Sequence, residues 1–224
     1  MGTSESGTFG RAVSFSGRSW AVKRSNEPVG PGPNLFSDRA ENVWVDADAR
    51  LHLRITQRGG RWRCAEVILD RSLGHGSYRF SIASNLAALD RNVVLGLFIW
   101  SDDPAHNNTE IDIEFARRLD PSDSTNAQYV VQPAERSGHL RRFTQPRSTE
   151  PTTHGFVWAG DHVAFQSTTA RGRPISSWNY VGSDVPPPGG EHARINLWLQ
   201  GGLPPSDGHE VEVVLTAFSF RGSS

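Results

Sequence analysis

Residues 110–115 read Glu-Ile-Asp-Ile-Glu-Phe. In a strand, successive side chains point to opposite faces, so Glu110, Asp112 and Glu114 share one face and Ile111, Ile113 and Phe115 the other. The apolar face is an ordinary core contribution. The acidic face is not a choice for stability, because like charges in a row repel and a solvated strand normally mixes signs. Cleavage of a glycosidic bond is one chemistry that gains from concentrated carboxylate. It uses one carboxylate as nucleophile and one carboxylic acid as proton donor to the leaving oxygen. A charge at Asp112 between the two glutamates raises a neighbour's pKa, so that one of them stays protonated near neutral pH. Four residues of strand span ~13 Å between Cα atoms, whereas a retaining pair needs carboxyls about 5–5.5 Å apart. The strand must therefore curve until the end glutamates lean together. Two other readings stay open. One is a solvated acidic strand with no role. The other is a calcium site, to which Asp102, Asp103, Asn107 and Asn108 would add oxygens. That stretch lacks the glycine and the distal glutamate of an EF-hand.

The elements around this strand read as short apolar–polar alternations punctuated by turn residues. Leu51–Ile55 alternates with period two, and Gly59-Gly60 predicts a hairpin turn into a strand over Arg61–Leu69. Further strands are expected at Ser77–Ile82, Val93–Trp100, Glu110–Phe115, Asn126–Gln132, His154–Trp158, His162–Gln166, Arg194–Gln200 and Val211–Phe220. Ser84–Leu89 hints at one helical turn. This pattern predicts one all-β antiparallel sandwich over residues 11–224, after a flexible N-terminus over residues 1–10. Strand parity adds detail. Ile195, Leu197 and Leu199 share one face, with Arg194, Asn196, Trp198 and Gln200 opposite. Leu95, Leu97 and Ile99 share one face, with Phe98 and Trp100 opposite. Asn126, Gln128 and Gln132 lie together on one face of their strand. Faces that mix amides with indoles suit a groove for sugar, whose C–H faces stack on rings and whose hydroxyls need donors and acceptors. A solvated face with scattered tryptophans is the competing reading. Trp178 and Tyr180, in an expected loop from Arg171 to Pro188, either rim such a groove or pin the loop to the core.

Composition narrows the classes. With 224 residues the chain buries roughly 70% of its unfolded surface and needs no metal or disulfide to fold. Net charge −1 gives no global pull towards nucleic acid or an anionic membrane. No apolar run approaches the ~20 residues of a membrane span. The lone cysteine, Cys64, excludes an internal disulfide. Arg58-Gly59-Gly60-Arg61-Trp62-Arg63 superficially resembles an RNA-binding segment, but a hairpin flanked by solvated arginines accounts for it. Met1–Gly7 lacks the basic start and apolar core of a signal peptide. The protein is therefore expected outside the cell if an export signal has been removed, and otherwise in the cytoplasm. Asn107-Asn108-Thr109 is an N-glycosylation sequon.

Glu110-Ile-Asp112-Ile-Glu114 resembles the E-x-D-x-E signature of the family-16 glycoside hydrolases, which include lichenases and laminarinases. Further segments in matching order extend the resemblance over Asn42–Phe220: Cys64-Ala65-Glu66, Gly74-His75-Gly76-Ser77-Tyr78, Leu97-Phe98-Ile99-Trp100, His154-Gly155-Phe156-Val157-Trp158 and Asn196-Leu197-Trp198. The resemblance implies a concanavalin-like β-jelly-roll sandwich of two curved antiparallel sheets and an endo-acting, retaining hydrolase of a β-linked glucan or galactan. It implies Glu110 as nucleophile, Glu114 as general acid/base and Asp112 as an assistant that interacts with the nucleophile. Glu66, Trp100, Asn196 and Trp198 would contact sugar. Gln128 and Trp178 complete the expected binding set. The sequence departs from the lichenase pattern at Ile68, Val130, Gln132 and Phe165–Thr169. The lichenase disulfide has no second cysteine here, and the aspartate that often helps bind structural calcium is not evident in Leu215–Phe218. No metal and no cofactor are therefore expected. The partner is a polysaccharide or oligosaccharide, with no nucleic acid, no membrane and a monomeric chain. A non-catalytic carbohydrate-binding sandwich and a transglycosylase are the alternatives.

Overall fold

The computed structural model describes residues 8–106, 109–117 and 123–223. Met1–Gly7, Asn107 and Asn108 lie outside them, and with them the N-terminal leader, the sequon and part of the calcium reading. In chain order the strands are β1 (Thr8–Phe15), β2 (Arg18–Arg24), β3 (Val43–Val45), β4 (Leu51–Arg58), β5 (Arg61–Arg63), β6 (Ala65–Ser72), β7 (Gly76–Ile82) and β8 (Val93–Trp100). They continue as β9 (Ile111–Phe115), β10 (Ala127–Val131), β11 (Leu140–Phe143), β12 (Thr152–Trp158), β13 (His162–Thr169), β14 (Pro174–Val181), β15 (His192–Leu199) and β16 (Val211–Gly222). One sheet runs β1-β2-β6-β15-β8-β9-β10-β11. The other runs β14-β13-β12-β7-β16-β4-β3, with β5 paired to β4. All named strand pairs are antiparallel, and the two curved sheets form the concanavalin-like jelly-roll sandwich expected.

Period-two alternation gives each sheet an apolar inner face. Val67, Leu97, Ile111, Ile113 and Tyr129 of the first sheet meet Leu53, Phe80, Phe156, Trp158 and Leu215 of the second in one buried cluster. The acid-bearing β9 is held by that cluster through Ile111, Ile113 and Phe115. Its other face is thereby turned outward.

Three expectations are corrected. Thr8, Phe9 and Gly10, assigned to a flexible terminus, belong to β1, where Thr8 pairs with Arg24. The single strand over Arg61–Leu69 is two, lying in different sheets. Cys64 separates them because its N–H donates to Leu35 and its carbonyl accepts from Ser37, so neither group continues the ladder with β4. Trp178 and Tyr180 sit on strand β14, not in a loop, and both rings face inward. The helical turn hinted at Ser84–Leu89 is a short 3₁₀ helix, Leu86–Ala88.

Candidate active site

Cross-strand register assembles the site. β9 lies between β8 and β10, which sets Glu114 between Gly96 and Gln128, and Asp112 between Phe98 and Val130. Glu110 immediately precedes β9. Its carbonyl accepts the Gln132 N–H at 3.2 Å, which extends the register by one pair. On the far side of β8, β15 sets Asn196 opposite Gly96, Arg194 opposite Phe98 and His192 opposite Trp100. β6 then sets Glu66 opposite Asn196. One row across the sheet thus reads Gln128, Glu114, Gly96, Asn196, Glu66. The next reads Val130, Asp112, Phe98, Arg194, Ile68.

These residues lie on the outer face, yet most are nearly sealed: Glu66 and Gln128 are 0% exposed, Arg194 1%, Asn196 3% and Asp112 5%. An outer sheet face is normally wetted, so burial this deep means that other parts of the chain cover this stretch of it. Glu110, Glu114, Trp100 and Trp198 are half-buried. Beyond the Glu110 end lies a cavity of about 530 Å³ lined by Thr109, Gln132, Arg136 and Asp184. Beyond the Glu114 end lies one of about 710 Å³ lined by Arg91, Arg117, Asp123 and Arg147.

Two amides hold the acids. Gln128 Nε2 donates to Glu114 Oε2. The orientation of that amide is set from behind, because Arg142 Nη1 donates to Gln128 Oε1 at 3.2 Å. Arg142 is itself fixed by Asp123 at 2.9 Å and by the Ala116 carbonyl at 3.0 Å. Gln132 repeats the device. Its Oε1 accepts the Ala134 N–H at 2.8 Å, and its Nε2 donates to Asp112 Oδ2 at 3.3 Å. Neither Arg142 nor Asp123 was singled out from the sequence. Arg142 lies on β11, whose Leu-Arg-Arg-Phe carries too little alternation to read as a strand.

Glu66 is placed beside Asn196, but it has no exposed surface to offer a sugar. Its carboxylate takes Lys23 Nζ at 3.0 Å and Arg194 Nη1 at 3.4 Å. A buried carboxylate needs such partners, and here they flank it on the same face of the sheet. Trp178 is not brought to the acids at all. It lies on the other sheet, stacked on Phe165 with centroids 5.4 Å apart. His154, Phe156 and Trp158 of the His-x-Phe-x-Trp segment are likewise core residues. His154 lies beneath β9, edge-on to Phe115 at 4.7 Å, with Ser167 and Thr152 hydroxyls each 2.8 Å from its ring nitrogens. Burial pushes its pKa down to about 3, so it is neutral. Among the described residues no group of three His, Cys, Asp or Glu side chains converges on a metal position. Of the carboxylates proposed as calcium ligands, Asp103 takes the Ala105 N–H at 2.9 Å and faces His106 at 3.2 Å.

No protein-family model matches the chain, and no curated protein matches it. Solved structures do share its fold. The β-glucanase of Bacillus licheniformis superposes with a TM-score of 0.67 at 17% identity, over 91% of this chain and 92% of that one. A prokaryotic β-1,3-1,4-glucanase (lichenase) from a mouse hindgut metagenome gives 0.64 at 19% identity, over 90% and 92%. A Mycobacterium tuberculosis protein described as an immunostimulatory antigen and pseudo β-1,3-glucanase gives 0.69 at 20% identity, over 92% and 91%. The chain therefore has the β-glucanase jelly roll, the fold expected of family-16 glycoside hydrolases.

Proposed function

We propose that the protein is a retaining, endo-acting glycoside hydrolase of a β-linked glucan or galactan. The observation that carries this reading is the acid triplet on the outer face of the sheet, with half-buried indoles at Trp100 on β8 and Trp198 on β15. Glu114 gives its proton to the leaving glycosidic oxygen while Glu110 attacks the anomeric carbon, forming a glycosyl ester and releasing one half of the polymer. Glu114, now a carboxylate, takes a proton from water. That water breaks the ester and restores Glu110. Asp112 supplies the neighbouring negative charge that keeps a proton on the acid. Gln128, locked by Arg142, holds Glu114 in place through both protonation states. On this reading the protein works as a monomer and without a cofactor, outside the cell if an export signal has been removed and otherwise in the cytoplasm.

The test is a panel of laminarin, mixed-linkage glucan, agarose and carrageenan, with product sizing and proton NMR of the first product formed. Internal cuts with retained anomeric configuration are expected. An inverted first product excludes the covalent route, and products longer than the substrate indicate transglycosylation. A second reading is a carbohydrate-binding domain without turnover. The sealing of Glu66 into an ion chain favours it, and one protein of this fold is itself described as a pseudo-glucanase. That reading requires oligosaccharide binding with no product from any substrate.

A further inference from the structure

We propose that Asp102 is a positioning residue that fixes the Trp100 indole at the Glu110 end of the groove, and that it is held in turn by Arg194. This rests on the reading of the outer face as a sugar-binding groove. Trp100 ends β8, one register step from Glu110. Its Nε1–H donates to Asp102 Oδ1 at 3.2 Å. The other oxygen of the same carboxylate, Oδ2, pairs with Arg194 Nη2. Asp102 is 58% exposed, whereas Arg194 is 1% exposed. An exposed carboxylate alone confers little order on a neighbour, because water competes and the side chain rotates freely. A buried guanidinium that clamps one oxygen removes that freedom and leaves the second oxygen aimed at the indole.

Arg194 does this because it is anchored along the same face of the sheet. Its Nη1 reaches Glu66, Glu66 takes the Lys23 ammonium, and Lys23 also donates to the Gly30 carbonyl at 2.8 Å and lies 4.4 Å from the Phe36 ring centroid. The charges alternate along this chain as Lys23 positive, Glu66 negative, Arg194 positive, Asp102 negative. Alternation is what lets so many charges sit together on one sheet face. Three members of the chain are sealed and only its last opens to the groove, beside the ring that a sugar would stack on. A purely structural ion network has no need to end on an indole N–H. A network that orients a stacking platform does.

The test combines a spectroscopic and a kinetic measurement on Asp102→Ala, Trp100→Phe and the double variant, each first checked for an unchanged melting curve. In proton–nitrogen spectra of the full chain, Asp102→Ala is expected to move the Trp100 indole N–H upfield and to speed its exchange with water. On the polysaccharide cleaved in the panel, Asp102→Ala is expected to raise KM about tenfold with kcat changed less than about twofold. In the Trp100→Phe background, which keeps a ring but has no N–H, the same substitution should change KM by less than about twofold. An unmoved indole resonance, or a KM effect that persists in the Trp100→Phe background, overturns the proposal. If no polysaccharide in the panel is bound or cleaved, the hydrolase reading fails while the indole resonance still decides the role of Asp102.

Discussion

Gln128 can offer Glu114 either end of its amide, and Arg142 decides which. With its oxygen occupied by a guanidinium, only the NH₂ end faces the acid. Side chains around Glu114 and Asp112 are therefore preset before any ligand arrives. Glu110 is half-buried and contributes nothing to the apolar core, so its charge can be removed without unfolding the chain. Glu110→Gln should cut turnover at least about 1000-fold while oligosaccharide binding persists. Full activity in that variant, assayed on the best substrate of the panel, removes Glu110 from the mechanism. His154 carries a different consequence. Unfolded it titrates near 6.5, and folded at about 3. Between those values the unfolded chain binds more protons, so stability rises with pH through that window. Its contribution is complete above about pH 6.5 and is lost progressively on acidification towards pH 3. Going from about pH 6.5 to 4.5 should cost roughly 2 kcal/mol through this residue. Urea unfolding at the two pH values should show a smaller loss in His154→Gln by about that amount.

At the scale of elements, the site depends on how closely β8 and β15 approach. A Cβ at Gly96 would collide with the side-chain oxygen of Asn196, the residue directly across. Glycine here lets the Asn196 amide lie over the strand next to Glu114's neighbour. Gly96→Ala should displace that amide, cost about 1–3 kcal/mol and lower Tm by roughly 5 °C, with weaker oligosaccharide binding seen by calorimetry. Elements with a strong apolar signal were legible from the residues: the apolar run of β8 is found at the bounds expected, and the parity that turns Ile111, Ile113 and Phe115 into the core and Asp112 and Glu114 away from it holds. Strands with mixed faces were not. β1 and β2 join through a Ser16-Gly17 turn with both residues at positive φ, but their polar stretches carry no apolar rhythm. β14 reads Pro-Ile-Ser-Ser-Trp-Asn-Tyr-Val and looked like a loop. Its pairing with β13 is what turns Trp178 into the core. The partners of Glu66 were hidden for a related reason, since Lys23 lies on β2 and only the sheet order brings it beside β6.

Across the whole molecule, the two sheets are joined by rings. Phe218 of β16 meets Trp20 of β2 edge-on at 5.1 Å and Phe80 of β7 at 5.1 Å, which puts one side chain between both layers. Phe218→Ala removes contacts to both at once. It should cost about 3–5 kcal/mol and lower Tm on the order of 10 °C by calorimetry, with Glu110 and Glu114 untouched. Such a core asks only for apolar residues of suitable volume at alternating positions. This is why the fold persists in β-glucanases at 17–20% identity. Shared architecture does not by itself carry chemistry, and the functional reading here stands on the acids and their surroundings.

Lys23 is the chain's one lysine, and its ammonium is buried against Glu66 and the Gly30 carbonyl. The folded surface of the described residues thus presents no side-chain primary amine. An acylating reagent can modify Lys23 only in molecules that have come apart at β2 and β6. The rate at which that position gains mass is then a clock for opening, built into the native protein and read without any engineered label.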